Sequence, residues 1–162
     1  MPASPTHSGW RWDRGNSRLD FYYRGTRIGH IAAALIQSLF GLRSSHATLG
    51  IGYSTGAGAT VTQITSRATG VEINAVSGAI TTDTTSLAAG AEATFTVTNS
   101  AVEIGDVIIL SLRSGATADT SVPIVSAVAA GSFNIRLTNL HASTADTGAS
   151  IINFAVIKAV SA

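Results

Sequence analysis

Apolar residues change their spacing twice along this chain. Leu19, Phe21 and Tyr23 alternate with polar neighbours, and the β-branched Thr26 and Ile28 follow Arg24-Gly25. That pattern predicts a hairpin turning at Arg24-Gly25. Just ahead, Trp10-Arg11-Trp12-Asp13 reads as a further strand that ends in a Gly15-Asn16 turn. Over His30 to Phe40 the period lengthens. Ile31, Leu35, Leu39 and Leu42 recur at spacings of 4, 4 and 3, with Ile28 three residues earlier. Together with Ala32, Ala33 and Ala34 this predicts one short helix, closed by Gly41. Its stripe of Ile31, Leu35, Leu39 and Leu42 would pack against copies of the chain around an axis, or between the hairpin and a C-terminal β module.

Ser44 to Gly58 is rich in Ser and Gly and reads as a hinge. Beyond it the period falls to two. Short β runs are expected at residues 60–65, 70–74, 78–82, 93–98, 106–113, 122–129, 132–138 and 150–160. In the seventh, Phe133, Ile135 and Leu137 share one face while Asn134, Arg136 and Thr138 share the other. Turn residues such as Ala89-Gly90, Asn99-Ser100 and Ala130-Gly131 separate them. Eight strands without a second helix predict a mainly β protein. Its C-terminal part would be an antiparallel, jelly-roll-like sandwich, preceded by a β-hairpin arm and the short helix. The domains would be residues 1–52, an attachment arm, and 53–162, a β knob. Ile108-Ile109-Leu110 and Ile151-Ile152 interrupt the alternation, which implies cover on both faces by the opposing sheet or a neighbouring chain.

Charge sharpens the division. Six arginines and two aspartates precede Ser54, a balance of +4, and four basic against seven acidic residues follow it, a balance of −3. Charged residues are only 12% of the chain, about half the usual share. No apolar run reaches the roughly 20 residues of a membrane span. Few charges without a span predict self-association, with the uncharged surfaces hidden between copies. The leader, Met1 to Arg14, holds Pro, His, Trp and Asp where a secretory signal needs an apolar run. Cysteine is absent, which excludes disulfides and thiolate chemistry.

Few residues suggest catalysis. Gly52-Tyr53-Ser54-Thr55-Gly56 matches the G-x-S-x-G of a nucleophile elbow, with His141 and Asp119 as conceivable partners. That chemistry needs a helix directly after the serine, whereas Thr60-Val61-Thr62 reads as strand. Gly50, Gly52 and Gly56 lack the Lys and the helix of a phosphate loop. The four histidines are scattered, so a metal would require His30 or His46 supplied once by each of three copies. No cofactor, metal or catalytic group is expected. The one polar constellation is Trp10, Arg11, Trp12, Arg14, Arg18, Tyr22, Arg24 and Arg27, the residue types that dominate protein interfaces. Stacking on single-stranded nucleic acid is disfavoured because the arm has no Lys and adjoins a faintly acidic module.

The stretch Gly58-Ala59-Thr60-Val61-Thr62-Gln63-Ile64-Thr65-Ser66-Arg67-Ala68-Thr69-Gly70-Val71 resembles a segment recurrent in virion proteins of tailed bacteriophages. Gly78-Ala79-Ile80-Thr81, Leu87-Ala88-Ala89-Gly90-Ala91, Phe95-Thr96-Val97-Thr98-Asn99-Ser100 and Asn153-Phe154-Ala155-Val156-Ile157-Lys158 continue it in order. Trp12 to Phe21 is similar, more weakly, to hairpin segments of phage fibres and spikes. The resemblance implies a non-enzymatic virion protein, assembled in the bacterial host cytoplasm as a homotrimer with a β knob. Its arm would dock on the major capsid protein or another virion protein. The absence of a long shaft favours a capsid decoration or cement protein. The alternative is a tail-fibre or spike tip that binds a host glycan.

Overall fold

The computed structural model describes residues 8–32, 35–38, 48, 51–53, 56–115, 117 and 121–159. It divides into two units, Met1–Gly52 and Tyr53–Ala162. Among the described residues every regular element is a strand, and no helix is long and apolar enough to cross a membrane.

Unit 1 is a four-stranded antiparallel meander of β1 (Gly9–Asp13), β2 (Arg18–Tyr23), β3 (Thr26–Ala32) and β4 (Leu35–Ser38), in that spatial order. Arg24 and Gly25, at φ of 47° and 79°, turn β2 into β3. Two successive left-handed residues match the twist of a two-residue hairpin, and only the second is a glycine, for which that conformation is unstrained.

The helix expected over His30–Phe40 is corrected by this sheet. His30–Ala32 ends β3, and Leu35–Ser38 is β4, with Ile31 opposite Ile36 and Ala32 opposite Leu35. Ile31 and Leu35 therefore do not stack along a helix, while Leu39 and Leu42 lie outside the described residues. The helical preference of alanine is worth only a few tenths of a kcal/mol per residue. Pairing with β2 satisfies the backbone of β3 and suits the β-branched Ile28 and Ile31.

Unit 2 is a sandwich of two four-stranded sheets. One has the order β10-β11-β8-β6 and the other β5-β7-β12-β9. The strands are β5 (Gly58–Thr62), β6 (Val71–Glu72), β7 (Ser77–Thr81), β8 (Glu92–Thr98), β9 (Val107–Ser114), β10 (Ser121–Ala129), β11 (Ser132–Asn139) and β12 (Ile151–Ile157). Most ladders are antiparallel, but β5 runs parallel to β7 and β6 parallel to β8. The expectation of a wholly antiparallel sandwich is corrected there. β5 to β8 alternate between the sheets, so every second strand enters its sheet in the same direction.

Strict alternation builds the core. In β11 Phe133, Ile135 and Leu137 point inward, in β12 Ile152, Phe154 and Val156, and in β8 Phe95 and Val97. The Phe133 and Phe154 rings meet across the sandwich, 5.6 Å between centroids at 51°, a tilted contact that aromatic quadrupoles favour. Gly78 stands where the core has no room. A Cβ there would lie 2.5 Å from the Ala59 carbonyl oxygen and 2.9 Å from the Phe154 ring.

A buried ion pair ties the loops at one end. Arg67 and Asp146 are almost completely enclosed, with Nη1 3.4 Å from Oδ2. Arg67 also donates to the carbonyls of Thr85 and Gly148. Asp146 accepts from the Ser121 hydroxyl and from the amides of Thr117 and Gly148. Burial alone would raise the Asp146 pKa. The Ser121 and Thr117 hydrogen bonds, with the Arg67 charge, outweigh it and hold the carboxyl below its ordinary range.

Asp146→Ala leaves Arg67 buried without its counter-charge, and urea denaturation should show a loss of about 3–5 kcal/mol. Because the folded pKa is depressed, this stabilisation is whole above roughly pH 4, the unfolded value, and fades as pH falls through the folded one. The wild-type midpoint should therefore drop on acidification below about pH 4, and the Asp146→Ala midpoint less so. Gly78→Ala should cost about 1–3 kcal/mol in the same assay, through overpacking.

Candidate functional site: the aromatic sheet of unit 1

Alternation gives the unit 1 sheet two unlike faces. Register places Trp10 opposite Phe21, Trp12 opposite Leu19, and Leu19 opposite Ile31. Tyr23 joins them by the two-residue period of β2. The other face sets Arg11 opposite Asp20, Asp20 opposite His30, and Asp13 opposite Arg18.

The carboxylates of the polar face are paired within it, while the buried His30 Nδ1 has no hydrogen-bond partner among the described residues. Asp20 is buried and accepts from Arg18 Nε at 2.9 Å and from the Tyr22 hydroxyl at 3.5 Å, with Arg27 Nη1 3.6 Å away. Arg18 also reaches Asp13 at 3.4 Å. Asp13 closes the β1–β2 turn by accepting from the Asn16 side chain and from the amides of Gly15 and Asn16. The Asn16 side-chain bond is the main reason its carboxyl stays below the ordinary range, against a smaller desolvation in the other direction. The Arg11 guanidinium lies 5.9 Å from the centre of the Tyr22 ring, within cation–π range.

The apolar face is open. Trp10 is 71% exposed, Trp12 53%, Tyr23 55% and Ile31 42%. Large apolar side chains normally withdraw from water, and a contiguous exposed group of them marks a contact surface. Arg24, in the β2–β3 turn, lies 5.4 Å from the Tyr23 ring. At the edge strand β1, Arg11, Trp12, Asp13 and Arg14 line a recess of about 370 Å³ that opens broadly to solvent.

The eight residues expected to bind a partner thus divide. Trp10 and Trp12 share the exposed face, and Arg24 and Arg14 lie in the two turns. Arg11, Arg18, Tyr22 and Arg27 are on the opposite, self-paired face. Sequence reading missed Leu19, Phe21 and Tyr23 as members of the aromatic face, and Asp20 and His30 as the centre of the polar one. Continuing the alternation from Trp10 and Trp12 into β2 would have found them.

The other candidate chemistries gain no geometry. Ser54, Asp119 and His46 lie outside the described residues. Gly58 opens strand β5, so a helix does not follow the Gly52–Gly56 segment. His141 Nδ1 accepts from the amides of Ser143 and Thr144. Among the described residues no three His, Asp or Glu side chains converge as metal ligands. No family model matches the chain, and no curated protein or solved structure matches it either.

Asp20→Ala removes the acceptor shared by Arg18, Arg27 and Tyr22. Both tryptophans are in unit 1, so their fluorescence reports this sheet alone. Its unfolding transition should shift by about 1–3 kcal/mol, discounted because the arginines are partly solvated, while the far-ultraviolet transition of unit 2 stays in place.

Proposed function

We propose that this chain is a non-enzymatic structural protein of a tailed-phage virion. In this reading it is a homotrimeric capsid decoration protein, and unit 1 docks on the major capsid protein or another virion protein and stabilises the head. The observation that carries the reading is the sheet with its ionic side self-satisfied and its Trp10, Trp12, Tyr23 and Ile31 side left to water. Such a face gains free energy only when covered, and Trp and Tyr are the side chains that concentrate binding energy at interfaces. The blocks from Gly58 to Lys158 that resemble phage virion proteins support the assignment of the partner. A protein that binds only the assembled shell stabilises it by mass action. A jelly-roll kinship for unit 2 belongs to the same reading and rests on its eight strands in two sheets of four.

One observation favours a second reading, a fibre or spike tip that binds a host glycan. Trp10 and Trp12 project from the same side of β1, roughly 7 Å apart, and paired aromatic rings can make a platform for sugar rings.

Cosedimentation of the purified chain with particles lacking it distinguishes the two. The Trp10→Ala/Trp12→Ala double variant should bind the shell at least about 100-fold more weakly, because each such anchor is worth about 2 kcal/mol or more. Wild-type binding should change little with salt, since the covered face is apolar. Full occupancy by the double variant removes the decoration reading. A tail-tip position together with tryptophan-dependent glycan binding replaces it with the second.

A further inference from the structure

The outer face of the β5-β7-β12-β9 sheet carries a block of exposed apolar side chains. Strands β9 and β12 turn Ile108, Ile152, Phe154 and Val156 into the core, which directs Val107, Ile109, Ala155 and Ile157 outward. Register sets Val107 opposite Ile157 and Ile109 opposite Ala155, so the four form one unbroken apolar block. Val107, Ile109 and Ile157 are 51%, 50% and 49% exposed. This is where the alternation fails in the sequence. Ile109 extends the apolar run without facing the interior.

Charge distinguishes this face further. The outward positions of β5, β7 and β12, and of β9 as far as Ser111, carry no Asp, Glu, Lys, Arg or His. The outer face of the opposite sheet also exposes Val122 and Ile124 of β10, but mixes them with charge. There Glu92 pairs with Arg136 at 3.6 Å beside threonines of β8.

We propose that this apolar block is where copies of the chain associate, with Val107, Ile109, Ala155 and Ile157 at the centre of the contact. The occupant follows from charge. Nucleic acid or an anionic membrane would need a cluster of basic residues, and these four strands hold Arg113 alone, at the irregular end of β9. Further copies bring the same apolar block, so a contact between copies centred on it buries no unpaired charge and sets no like charges together. Unit 1, with six arginines against two aspartates in residues 1–52, would instead repel its own copy. The inference deepens the reading of a self-associating virion protein and rests on it only for the premise that copies meet.

The test is sedimentation velocity of the full chain over a concentration series. The wild type should associate. Ile109→Lys and Ala155→Lys, each placing a charge inside the contact, should raise the dissociation constant at least about 100-fold. Leu140→Lys, at a position 66% exposed just after β11 of the opposite sheet, should leave it unchanged. Ile109→Thr keeps the β-branched shape if the lysine variants fail to fold, and should still weaken association by about 10-fold. A wild type that stays monomeric up to about 1 mM, or association that none of these three face variants weakens, overturns the proposal. Either result leaves particle docking through Trp10 and Trp12 to be judged by its own assay.

Discussion

Interleaving of inward side chains between two sheets is the interaction on which the rest of unit 2 depends. Phe133, Ile135 and Leu137 of β11 meet Ile152, Phe154 and Val156 of β12 across the sandwich, and Phe95 and Val97 of β8 complete the layer. A sheet has a strict two-residue period, so once one face is committed to this interior the other is fixed as well. The two outer faces are thus consequences of the core. One received Glu92, Arg136 and a row of threonines, and the other received Val107, Ile109, Ala155 and Ile157.

Unit 1 obeys the same constraint with a different outcome. Its four strands bury Asp20 beneath Arg18, Arg27 and Tyr22 while their aromatic side stays in water. In a free-standing domain that would be an inverted arrangement, with charge inside and tryptophan outside. It is intelligible if the tryptophan face is completed by something else. The polar side then holds the strands at a fixed spacing, so little ordering remains to be done when the partner arrives.

The buried Arg67–Asp146 pair has a different part. It joins the segments around Thr85, Thr117, Ser121 and Gly148. The attraction within a buried pair of this kind is offset by the cost of desolvating both charges, so its hydrogen bonds must be complete. Here both side chains are satisfied by backbone groups as well as by each other. The Asp106–Lys158 contact at 2.7 Å anchors the end of β12 more superficially. Its hydrogen bond lowers the Asp106 pKa and raises that of Lys158.

All eight strands of the sandwich were legible in the sequence, as was the β2–β3 hairpin at Arg24-Gly25. A two-residue period with glycine at the turns is a local signal. The composition changes at Gly52, where the structure also divides. The sequence was misleading over His30–Phe40. There the 4, 4, 3 spacing of leucines and isoleucines and the three alanines speak for helix, and only the neighbouring strand β2 decides for β. It was also silent on the parallel pairs β5–β7 and β6–β8, on the Arg67–Asp146 partnership across 79 residues, and on what lies beside Trp10, Arg11 and Trp12 on each face of the sheet. Composition and periodicity act between residues a few positions apart, so the chain alone determined its strands, its turns and its basic aromatic arm. Sheet order, buried ion pairs and the choice of outward face depend on contacts between distant segments, and those came into being only with the tertiary structure.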